Sequence, residues 1–297
     1  MSTDPSLFTV LTAWTFEPSV LLGLILSAVI YVGGVRELKR RGRLDRSVAP
    51  RHMIYFGLGL LAILLSLESP IDRYSSQLLW MHMIQHLLLL MIAPPLLLLG
   101  KPIPVMVVGA PRPLVQWLAR SHARTGWFKG LTHLLINPWF AWFAFTITMG
   151  AWHIPSLYDA ALRSNGVHLL EHSCFLITGI LFWWVVIQPY PGRPRVAYVW
   201  RVLFVAAAML PETALGFAYI LIGTPLYPFY AVLPRLWGIS VLDDQGLAGN
   251  IMMVGGDSIM VIAAIPLVGR MMERFEELQL ARFSRIEQAR LGAVQEE

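Results

Sequence analysis

Cysteine is almost missing from this chain: Cys174 is the only one in 297 residues. An internal disulfide framework is therefore excluded, and so is any CxxC metal or redox motif. Charge is scarce as well. Asp, Glu, Lys and Arg make up 14% of the residues, against about a quarter in ordinary soluble domains. No repeat and no low-complexity tract interrupts the sequence, which excludes solenoids and disordered arrays. Basic residues cluster beside apolar runs without an interleaved recognition motif, so the net charge of +5 does not indicate nucleic acid.

What is abundant is apolar sequence, at 56% of the residues. A helix needs roughly 17–25 apolar residues to cross a ~30 Å hydrocarbon core. Seven stretches meet or approach that length: 18–35, 52–67, 77–99, 136–152, 167–187, 199–222 and 248–268. The pattern predicts an all-α integral membrane protein, a bundle of seven transmembrane helices within residues 1–270. Residues 100–135 form an interfacial connection between the third and fourth spans. Residues 271–297 form a charged helical tail that continues the last span. No basic stretch precedes the first apolar run, so that run is expected to be a retained helix.

Lysine and arginine orient such a bundle. All but Arg73, Arg163 and Arg235, among 23 basic residues, fall on one side of the predicted topology. They include Arg36, Lys39, Arg40 and Arg46 after span one, Arg112, Arg120 and Arg124 after span three, and Arg193 and Arg195 after span five. The positive-inside rule then places the N-terminus outside and the C-terminus in the cytoplasm, in a bacterial cytoplasmic (inner) membrane.

Five of the eight histidines lie near the opposite, outer end of three spans. Ionisable groups at membrane depth persist where they face a bundle interior and do chemistry. His82 and His86 are four apart and share a helix face, which lets two imidazoles approach one metal ion. His168, Glu171 and His172 share a face on span five, with the carboxylate between the imidazoles. His153 closes span four. Asp257 is a carboxylate at comparable depth in span seven, beside Met252 and Met253. The expected metal site is His82, His86, His168 and His172, with His153 as a fifth ligand and Glu171 and Asp257 orienting or occasionally ligating. Cys174 points away from His172. Thioethers favour Cu(I), whereas imidazoles suit copper, zinc or haem iron. Met81, Met83, Met252 and Met253 are candidates, against a plainer role as core filler.

The same residues carry a family resemblance. MHMIQHLLLLMIAPPLLLLGKP (81–102), AWHIPSLYDAAL (151–162), HLLEHSCFLITGILFWW (168–184) and DDQGLAGNIMM (243–253) resemble the seven-span cytochrome c oxidase assembly factors of the CtaG type. Where that family commonly has Trp and then Pro-Gly after the last Ile-Met pair, this chain has Met253 and Gly255-Gly256. The resemblance implies a non-enzymatic role in forming the copper centre of a haem–copper oxidase. Its partners would be the oxidase catalytic subunit and an extracytoplasmic copper donor. Three other readings use the same residues. An intramembrane zinc hydrolase would recruit Asp72 or Asp257 and Ser75, Ser173 or Ser258. A haem-binding oxidoreductase would pair His86 with His172. A transporter would continue inward through Glu212.

Overall fold

The computed structural model describes residues 4–43, 48–189 and 196–295, and of residues 287 and 289–295 the backbone only. Arg46, Arg193 and Arg195 lie outside the described residues. Among the described residues the secondary structure is helical throughout. Seven main helices are α1 (Pro18–Arg40), α2 (Pro50–Glu68), α3 (Leu79–Leu99), α4 (Pro138–Trp152), α5 (Asn165–Ile187), α6 (Tyr198–Leu221) and α7, which runs from Val241–Asn250 through a π-helical turn at Ile251–Gly256 into Asp257–Gln295.

Six of these are long and apolar enough to cross a membrane alone. The fourth is shorter, at 15 residues, and reaches span length only together with Gly126–Leu135, from which it is bent by 66°. The chain is thus a multi-pass membrane bundle of six helices, or seven with the bent pair. Local sequence explains several starts. Proline stands in the first turn of α1, α2 and α4, where its missing N–H costs nothing. The Asn137 side chain caps α4 by accepting from the N–H groups of Trp139 and Phe140.

Helices α3, α5, α4, α6 and α7 contact in sequence around a closed ring, with α2 and then α1 leaning against the α3 side. Pro102–Gly109 packs along α1 so tightly that a Cβ on Gly109 would stand 2.0 Å from the Ile30 carbonyl oxygen. Two further short helices, Arg112–Arg124 and Gly126–Leu135, carry exposed Trp117 and Trp127 before α4 begins.

Helix α3 is not uniform. Pro94 and Pro95 withdraw two amide donors, and the chain answers with a π-helical turn over Leu88–Ile92. The Leu90 carbonyl, four residues before Pro94, accepts instead from the Trp183 indole N–H of α5 at 3.0 Å. A neighbouring helix thus satisfies the group that proline orphans, as the bilayer interior demands.

Candidate metal centre

The start of α3 is held by a carboxylate from elsewhere in the chain. No residue next to Leu79 caps the helix. Asp244 of α7 does so, accepting from Leu79 N–H at 3.0 Å and Trp80 N–H at 2.9 Å. Gln245 beside it donates to the Tyr219 carbonyl and accepts from Leu226 N–H. The DDQG segment therefore anchors the ends of α3 and α6. It makes the scaffold of the site rather than its ligands.

One turn further on, His82 and His86 project inward with ring centroids 4.4 Å apart. The first turns of α5 meet them. Glu171 is fully buried, with Oε2 3.6 Å from His82 Nε2 and Oε1 3.5 Å from His86 Nε2. His172 has its ring 5.8 Å from that of His86. One donor atom from each of His82, His86, Glu171 and His172 lies within 4.8 Å of the others.

His168 and His153 flank this group. The His168 ring is 4.0 Å from His172 and 5.3 Å from His82, on a partly exposed rim. His153 caps α4, with its ring 5.8 Å from His86. The structure thus brings all five of these histidines together. It sets Glu171, expected as an orienting group, among the central four, and His168, expected among them, at the edge.

Asp257 stands apart. Its Oδ2 accepts from Thr213 at 2.7 Å, and it lines an open groove with Met253 and Ser258. A π-helical turn, Ile251–Gly256, comes just before it. An inserted residue rotates everything that follows by about 100° relative to a continuous α-helix. Cys174 is a free, partly exposed thiol outside the central four.

Tautomers follow from the surrounding hydrogen bonds. Tyr230 OH donates to the Ser75 carbonyl at 2.5 Å, and burial pushes its hydroxyl well above the ordinary phenol range, so it keeps that proton. Its oxygen lies 3.2 Å from His82 Nδ1. With the phenol proton committed to Ser75, His82 Nδ1–H must be the donor, and Nε2 carries the lone pair toward Glu171. His153 Nδ1–H donates to the Met149 carbonyl at 2.6 Å, which leaves its Nε2 lone pair free in the same way. Tyr227 donates to the His153 carbonyl at 3.0 Å and accepts from Tyr219. Tyr158 stacks on Tyr227 with centroids 4.0 Å apart.

These four tyrosines roof the imidazoles and were not singled out in the sequence. The only local sign was the aromatic, proline-bearing run Tyr227-Pro228-Phe229-Tyr230 in a connection.

Nε2 of His82, His153, His168 and His172, both nitrogens of His86 and both oxygens of Glu171 are buried without a protein hydrogen-bond partner among the described residues. So many unpaired buried polar atoms in one place are costly unless something compensates them. Three imidazoles and a carboxylate around one point fit a single small cation. Two of the groups that a hydrolase would recruit are otherwise engaged. Asp72 is engaged by Gln85 at 2.8 Å and Thr15 at 3.0 Å, and Ser173 donates to Leu169 on the exposed side of α5. The cavity beside His86 measures about 20 Å³, far too small for a porphyrin.

Fold and site together define a polytopic helical membrane protein with a buried, histidine-rich centre at one end of its bundle. The chain belongs to the cytochrome c oxidase caa3 assembly factor family (Caa3_CtaG), whose model matches residues 29–274. It is 29% identical over 253 residues to uncharacterized proteins of Mycobacterium bovis and Mycobacterium tuberculosis, covering 83% of this chain and 37% of each relative. An uncharacterized protein of Mycobacterium leprae is 23% identical over 280 residues, covering 90% of this chain and 40% of the relative. The chain therefore spans about two fifths of the length of these relatives. No solved structure matches it.

Proposed function

We propose that this chain is a non-catalytic copper assembly factor for haem–copper oxidase. It takes a copper ion at His82, His86, Glu171 and His172, with His153 and His168 as exchange partners, and presents it to the oxidase catalytic subunit inside the membrane. Family membership supports the oxidase half of this reading. The convergence of four buried donors within 4.8 Å supports the metal half.

Copper is cargo here, so the site must let go as well as bind. Imidazoles and one carboxylate release a metal more readily than a closed thiolate cage, and no thiolate belongs to the group. Glu171 offsets part of the ion's charge, and Tyr230 holds His82 in the tautomer that binds. The biased distribution of lysine and arginine supports an outward-facing site, where an extracytoplasmic copper donor would load it.

The test is His86→Ala in a host lacking its own copy of the protein. The variant should insert at normal abundance while the oxidase loses its copper. Normal oxidase copper content would sink the proposal. Elemental analysis of the purified protein separates the metals: copper supports assembly, while zinc would turn attention to hydrolysis.

A further inference from the structure

The cavity beside His86 has an unusual lining. It is about 20 Å³ in volume, and four of its ten lining residues are methionines: Met83, Met91, Met149 and Met252. They come from α3, α4 and α7 and are all buried. Thirteen methionines spread over 297 residues would put fewer than one in a random set of ten. Of the methionines flagged from sequence, Met253 lines the separate groove with Asp257, and neither lining includes Met81.

Methionine is also the residue that fills irregular apolar gaps. This gap is not apolar throughout. His86 and His153 line it, and among the described residues the only hydrogen bond of the His153 ring goes to the Met149 carbonyl through Nδ1. Glu212 lines it too, 3% exposed, with Oε2 unpartnered among the described residues. Its other oxygen sits where a Cβ on Gly256 would come within 1.8 Å, so the carboxylate fills space that only glycine leaves open. Gap filling explains the sulfurs. It does not explain two imidazoles and a carboxylate facing the same small space.

A volume near 20 Å³ admits one water-sized occupant. Thioethers are weak hydrogen-bond acceptors and serve a water poorly. They serve a soft cation well, and thioether ligands select Cu(I).

We propose that this cavity is a second metal site that takes Cu(I). Its sulfur donors are drawn from Met83, Met91, Met149 and Met252, its nitrogen donor is His153, and Glu212 balances the charge. The proposal rests on reading the chain as a copper handler, and it adds a sulfur-rich site to the nitrogen–oxygen one. His86 belongs to both linings, so an ion moving between the sites exchanges its other partners around one imidazole.

The experiment is anaerobic Cu(I) titration of the detergent-purified full chain, followed by X-ray absorption at the copper edge. Wild-type protein should bind two Cu(I) and show sulfur scattering. Met83→Leu/Met91→Leu/Met149→Leu/Met252→Leu, a set of near volume-conserving changes of the kind cores tolerate, should bind one fewer and lose the sulfur signal while still binding zinc. His172→Ala should lose the zinc and keep sulfur-ligated Cu(I). Wild-type copper with nitrogen and oxygen neighbours alone would overturn the second site and leave the proposed function standing. Sulfur-ligated Cu(I) in wild type with no metal at His82, Glu171 and His172 would do the reverse. Unchanged sulfur scattering in the quadruple variant would also overturn the second site.

Discussion

The phenol oxygen of Tyr230 lies 3.2 Å from Nδ1 of His82, across 148 residues of sequence, with its own proton spent on Ser75. One hydrogen bond thus decides which nitrogen of His82 faces Glu171. Tyr230→Phe removes the acceptor and frees the imidazole to adopt either tautomer. Loss of such an orienting partner typically weakens metal affinity about 10–100-fold. Chelator competition on the purified variant should show that drop with unchanged stoichiometry. Wild-type affinity in Tyr230→Phe would mean that His82 needs no help from the roof.

Trp183 and Leu90 tie α5 to the π-helical turn of α3. Trp183→Phe keeps an aromatic in place but leaves the Leu90 carbonyl without its donor, next to Pro94, which supplies none. An unsatisfied buried carbonyl costs about 1–3 kcal/mol. The apparent Tm in detergent should fall, by about 2–4 °C per kcal/mol for a chain of this size. Metal stoichiometry should stay at the wild-type value, because the bond lies below the imidazoles. A full-stability variant would show that water or lipid satisfies Leu90.

What could be read from sequence, and what could not, divides along range. His82 and His86, and His168 with Glu171 and His172, were legible because helical spacing alone puts each set on one face. Span topology then placed the faces at one end. The centre of the group was not legible. Whether Glu171 or His168 sits among the inner donors depends on the rotation of α5 against α3, which packing sets and periodicity does not. Tyr230 and Asp244 reach α3 from more than 140 residues away, through contacts no local pattern announces. The bent pair before and in α4 was not legible, since 136–152 read as the span and Gly126–Leu135 as part of the interfacial connection. Asp257 read as level with the histidines, whereas its side chain meets Thr213, a contact no local pattern announces.

Asp244 offers a prediction about order rather than affinity. It supplies the acceptors for the first amides of α3, the helix that carries both His82 and His86. Capping carboxylates contribute about 0.5–2 kcal/mol. Asp244→Ala should therefore fray the start of α3, and hydrogen exchange at Leu79 and Trp80 should speed up while exchange deeper in the helix does not. Unchanged protection at those two amides would mean that packing against Tyr158 and Tyr230 holds the turn without its cap.

Glu171 and Asp257 make the sharpest comparison, because both are membrane-depth carboxylates and only one joins the imidazoles. Glu171→Gln preserves size and hydrogen-bonding capacity while removing the negative charge from the middle of the group. Its affinity for copper or zinc should fall at least about tenfold, near 1.4 kcal/mol. Asp257→Asn keeps a partner for Thr213 and touches none of the four inner donors. Its metal affinity should stay within about twofold of wild type, well under 1 kcal/mol. Chelator competition and elemental analysis of the two variants side by side give the answer directly. Equal losses would show that the charge of the whole bundle end, rather than the contact with His82 and His86, governs binding. A loss in Asp257→Asn alone would move the metal to α7 and away from the histidines.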